Sequence, residues 1–202
     1  MRTEYKNLFN ESITVQQKNI LEDYVEILVD ENSNLVKQKN NYFNNEISSI
    51  EYYIESGENE AQLVSSLSQL NPTVCIKEVT PLTNYSIEVE REYRTTVLKF
   101  KSRYLLDEKD RIICSEPVDS NTNLPLYDET EKYHFSDNKV IEDLYARYTA
   151  SGNLDYIIYK TNGDEEQDWE YYDQTNFSEL QSKFTEDLSY YLTADLESPF
   201  IV

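Results

Sequence analysis

Along most of this chain apolar and polar residues alternate in short runs broken by polar turns, a period of two that predicts β-strands. The runs at 24–29 (YVEILV), 34–43 (NLVKQKNNYF) and 46–55 (EISSIEYYIE) are separated by Asp30–Asn34 and by Asn44-Asn45, which suit tight hairpins. Beyond a turn at Asp107–Asp110, strands are expected at 111–116, 130–135, 139–149, 153–161 and 165–172. Turns at Asp137-Asn138, Ser151-Gly152 and Asn162-Gly163 join the later ones, and Pro117–Pro125 reads as loop.

Two stretches switch to the helical period. At 58–70, Leu63, Val64, Leu67 and Leu70 share one face, Glu58 and Glu60 supply acids to the first turn, and Asn71-Pro72 is a stop. Asn176 is expected to open a second helix over 176–194, with Glu179 at the capping-box position. Phe177, Leu180, Phe184, Leu188, Tyr191 and Leu192 form its stripe, up to Ser198-Pro199. Residues 1–23 are ambiguous: Ile20, Leu21, Tyr24 and Val25 allow a short helix before the first strand.

Between Tyr85 and Leu106 the apolar phase changes. Tyr85, Ile87, Val89 and Tyr93 are odd-numbered, whereas Leu98, Phe100, Tyr104 and Leu106 are even. A one-residue slip swaps the faces of a strand, so a bulge or sharp bend is expected at Thr95–Val97, with both apolar sets buried. The segments 24–57 and 105–152 echo each other weakly as hairpin pairs, which favours a repetitive meander over alternating βαβ units. The expected fold is a single α+β domain over residues 1–202. Its bent antiparallel β-meander of about eight strands carries a central short helix and a C-terminal amphipathic helix packed on one face.

Composition narrows the function classes. Eighteen Tyr, seven Phe and one Trp supply core material despite a hydrophobic fraction of 39%. Three glycines leave no Gly-rich phosphate loop. The net charge of −21 argues against direct binding to a nucleic-acid backbone. It is uneven: residues 1–90 carry 6 bases and 15 acids, 91–163 carry 11 and 13, and 164–202 carry 1 and 11. No apolar run is long enough to span a bilayer, and the first dozen residues lack the apolar segment of a secretion signal. Cys75 and Cys114, without CxxC spacing, read as two buried thiols of a cytoplasmic protein, the alternative being a single disulfide between them.

No catalytic, metal or cofactor site is expected. His134 is the sole histidine and lies between Tyr133 and Phe135, where it reads as a packed side chain. Acidic runs at Asp107–Asp110 and Asp164–Asp168 lack the glycine and terminal glutamate spacing of a calcium loop. What stands out is acids interleaved with aromatics at Asp164, Glu165, Glu166, Asp168, Trp169, Glu170, Tyr171, Tyr172 and Asp173. Trp169, Tyr171 or Tyr172 would anchor a partner, and the carboxylates, six in ten residues with no base among them, would steer a basic one toward them. A second acidic face, Glu88, Glu90 and Glu92, places carboxylates two residues apart on one strand. These features point to an acidic inhibitor of a basic partner, of the kind that makes a bacterial cell immune to a toxin or nuclease. The alternatives are a DNA mimic that blocks a nucleic-acid-binding protein, and a hydrolase using paired carboxylates.

Overall fold

The computed structural model describes residues 1–136, 142–161 and 169–196. They form 13 strands with the hydrogen-bonded order β13-β12-β11-β10-β9-β8-β7-β6-β5-β4-β3-β1-β2. The strands are β1 Arg2–Lys6, β2 Ser12–Ile13, β3 Tyr24–Val29, β4 Val36–Phe43, β5 Glu46–Tyr53, β6 Thr73–Pro81, β7 Tyr85–Arg94, β8 Val97–Asp107, β9 Ile112–Pro117, β10 Glu131–His134, β11 Leu144–Tyr148, β12 Leu154–Lys160 and β13 Trp169–Tyr172. The helices are α1 Val15–Lys18, α2 Glu60–Leu67 and α3 Phe177–Gln181.

The α+β expectation, with its central helix and long C-terminal helix on one face of an eight-stranded sheet, is therefore corrected. The described residues form mostly one large, mostly antiparallel sheet, and only 13% of them are helical. The expected meander is also interrupted: β5 and β6 pair in parallel, Ile50 beside Val74, and α2 makes the crossover between them. The hairpin turns follow their chemistry, since Asn44 and Asn45 adopt φ of 51° and 61°, the left-handed conformation that asparagine tolerates. The expected turns at 137–138 and 162–163 lie outside the described residues.

The C-terminal stripe does go inward, with Leu180, Leu188 and Tyr191 buried, but not as one helix. The α3 helix stops at Gln181, and a 3₁₀ turn at Ser189–Leu192 follows. Local side-chain bonds compete with the helix there. Gln181 Oε1 accepts from the Leu188 amide at 2.8 Å, and Asp187 Oδ1 from the Ser189 amide at 2.9 Å. Glu186 and Asp187 would also sit in the negative half of a longer helix. The capping box is absent, because the Asn176 side chain accepts from the Asp173 amide at 2.7 Å instead. At the other end, the ambiguous residues 1–23 build β1, β2 and the short helix α1 ahead of β3.

The phase change is a chain reversal. Thr95 and Thr96, with φ of 48° and 68°, make the two-residue connection between β7 and β8, so inward parity flips where the chain turns. The even-numbered apolar set of β8 is only partly buried, however. Phe100 is 41% exposed, while Ser102 and Leu105 are buried.

Two compact units result: Met1–Val79 with Val89–Lys101, and Thr80–Glu88 with Ser102–Val202. The first is centred on Ile50, Tyr52, Val64, Leu67, Val74 and Ile76, with Tyr93 of β7 packed against them. The second is centred on Leu105, Leu144, Ala146, Ile157, Leu180 and Leu188, with Tyr85 and Ile87 of β7 against it. Cys75 and Cys114 are both buried free thiols. Among the described residues no helix is long and apolar enough to cross a membrane.

Candidate functional site

In the second unit, β9 and β10 turn an unusual set of side chains inward. Lys132 pairs across the ladder with Cys114, and Cys114, Glu116 and Lys132 are all buried. Lys132 Nζ donates to the Tyr190 carbonyl at 2.8 Å and lies 3.4 Å from the centroid of the Tyr190 ring. Burial pushes its pKa down to about 8, against attraction from neighbouring groups that include Glu116. Burial pushes Cys114 up to about 12 and raises Glu116 above the usual carboxylate range, although Arg103 is bonded to Glu116 and opposes that rise. This buried cation fastens the 3₁₀ turn of the C-terminal segment onto the sheet.

Beside it is a cleft of about 200 Å³ whose lining includes His134 at the end of β10 and Glu186 and Asp187 from the C-terminal segment. Tyr85, Tyr133, Phe135, Tyr190 and Tyr191 supply aromatic surface, and Asp107 and Arg111 complete the charged lining. Arg111 Nε donates to Asp107 Oδ2 at 2.7 Å, and its guanidinium lies 4.6 Å from the centre of the Phe135 ring. Burial favours protonation of Asp107, but the bonds from Arg111 outweigh it and hold the carboxyl below the usual range. The Ser189 amide and hydroxyl do the same for Asp187. His134 is packed, as its neighbours suggested, edge-on to Phe184 and Tyr191. Its Nε2 is 2.7 Å from Glu186 Oε1, and its Nδ1 is 3.7 Å from Asp143 Oδ2.

Three carboxylates against one guanidinium and one imidazole leave the cleft net negative. Its volume is below the roughly 300–1,000 Å³ of small-molecule pockets, so it suits one long side chain rather than a whole ligand. Aromatic and carboxylate lining together favour a cation.

The sequence-predicted segment is only partly joined to this site. Asp164, Glu165, Glu166 and Asp168 lie outside the described residues. Trp169 packs under Lys160, whose Nζ is 5.4 Å from its ring centroid. Glu170 is bonded to Lys183, which supplies a compensating base that the local sequence does not contain, and the pairing lowers the Glu170 pKa. Tyr172 is buried and bonded to Glu170, so it does not serve as an anchor, whereas Tyr171 is 57% exposed. Asp173 is exposed but holds the following turn through Thr175. Lys183 and Phe184 connect this strand to the cleft: Lys183 contacts Glu170 and Tyr172, and Phe184 contacts Tyr159 and His134.

The second acidic face is compensated. Glu90 lies 3.2 Å from Lys77 Nζ, Glu92 lies 2.9 Å from Arg94 Nε, and all three of Glu88, Glu90 and Glu92 are half-buried. Nothing in the local sequence of Lys132 and Glu116 marks them as buried. Glu186 and Asp187 carried one usable signal, as two acids late in a supposed helix. No protein-family model matches the chain, and no curated protein matches it.

Proposed function

We propose that this protein is a cytoplasmic, acidic protein-binding inhibitor that occludes a basic partner, as an immunity protein does with a toxin or nuclease. The observation that carries the reading is the net-negative aromatic cleft, which suits one arginine or lysine side chain of such a partner. Exposed Tyr171 on edge strand β13 adds an aromatic anchor on the same unit. The free thiols Cys75 and Cys114 suit a reducing compartment. Mimicry of DNA draws no support from Glu88, Glu90 and Glu92, since the charges of Glu90 and Glu92 are paired to Lys77 and Arg94.

The test is retention from a lysate of the source organism on the immobilised full chain, compared with the variants Y171A and E186Q/D187N. The parent is expected to retain a basic protein at low salt, release it at high salt, and lose it in both variants. Identical retention by parent and variants would contradict the reading.

A further inference from the structure

The first unit carries a different surface. Leu8, Phe9, Val15 and Ile20 are 65%, 86%, 54% and 82% exposed. Within this stretch, Leu8, Phe9, Ile13, Ile20 and Leu21 line an open groove of about 570 Å³. Large apolar side chains gathered this closely on a surface mark a contact site.

The loop that presents them is held in shape. The Asn7 side chain accepts from the amides of Phe9 and Glu11 at 3.0 and 2.9 Å, and Asn10 takes the left-handed conformation with φ of 63°. A capping box between Thr14 and Gln17 fixes the start of α1 on the other side of β2. Phe9 is therefore displayed by a hydrogen-bonded turn, and docking against it would cost little loop ordering.

Charge selects the occupant. Glu22 and Asp23 are the ionisable residues of the groove lining. Neither Lys6, which bonds Asn10 Oδ1 at 2.7 Å, nor Lys18, which lies over the Tyr24 ring at 4.8 Å, is part of that lining. A second copy would bring another −21 toward this face. We propose that the groove binds an amphipathic, basic segment of a partner protein, its apolar side chains seated between Phe9 and Ile20 and its lysines or arginines facing Glu22 and Asp23. This contact is in the other unit and does not depend on the cleft described above.

The test uses the isotope-labelled full chain, titrated with a synthetic Leu/Lys amphipathic peptide and, separately, with a Ser/Lys peptide of equal charge. The Leu/Lys peptide is expected to shift the amide resonances of Leu8, Phe9, Ile20 and Leu21 saturably, whereas the Ser/Lys peptide leaves them in place. Both F9S and I20S should weaken the Leu/Lys peptide by at least about tenfold while the rest of the spectrum is retained. Equal shifts from both peptides, unchanged affinity in the variants, or shifts confined to the second unit would overturn the proposal. So would self-association of the parent that F9S abolishes, or perturbation of the same amides by neutral phosphatidylcholine vesicles in place of the peptide.

Discussion

Replacing Lys132 by Met tests the buried cation that holds the C-terminal segment. Lys132 is fully buried, and burial places its pKa at about 8, against 10.5 for a free lysine. Between those values the unfolded chain binds the proton more tightly than the folded one, so the contribution of Lys132 to stability rises with pH across this window. At about 1.4 kcal/mol per pH unit, and allowing for partial titration at both limits, the gain from pH 7 to pH 10 is about 2.5 kcal/mol. The same window contains opposing groups. Cys75 and Cys114 are raised by burial, so the unfolded thiols ionise first and stability falls above about pH 9. Subtracting the K132M variant removes the Cys75 contribution, and making the comparison in a C114A background removes that of Cys114, which interacts directly with Lys132. At pH 7, K132M escapes the cost of a buried charge but leaves the Tyr190 carbonyl without its donor, a loss of about 1–3 kcal/mol, so parent and variant should be close. At pH 10 the parent should be more stable than K132M by about 2–3 kcal/mol. Urea unfolding at the two pH values reads the difference directly. A stability difference that does not change with pH would refute the reasoning.

Three further outcomes are expected. Replacing Thr95-Thr96 by Asn-Gly should raise stability by about 1–2 kcal/mol, because two β-branched residues sit at positive φ in this turn; a loss in urea unfolding would contradict the assigned reversal. Gly152→Ala should destabilise by about 1–3 kcal/mol, since Gly152 has φ of 80° and an added Cβ would lie 3.2 Å from the Tyr127 ring; it should cost more than Gly57→Ala, where φ is 92° but the space is open. A soluble thiol reagent at pH 8 should leave Cys75 and Cys114 unlabelled in the folded protein and modify both in urea, so rapid native labelling would show that one of them is accessible.

Strands with clear alternation and a turn of fitting chemistry were legible in the sequence. YVEILV and EISSIEYYIE became β3 and β5, and Asn44-Asn45 became their neighbour's hairpin, because pleat and turn chemistry agree there. The α3 region was not legible: its stripe marks what is buried equally well whether residues 182–188 are helical or irregular, and the competing bonds of Gln181 and Asp187 decide the matter. The cleft was hidden for a related reason. It depends on residues 107, 134 and 186 meeting across long sequence separations, which no local period reports.

Zero-length carbodiimide cross-linking puts the assignment of the cleft to a basic partner to its most direct test. Applied to the full chain with the protein it retains at low salt, it should join partner lysines to the cleft acids Glu186 or Asp187. The yield should fall as salt shortens the Debye length below about 10 Å. Links confined to acids outside the cleft, such as Glu88, Glu90 and Glu92, with none from Glu186 or Asp187, would contradict it.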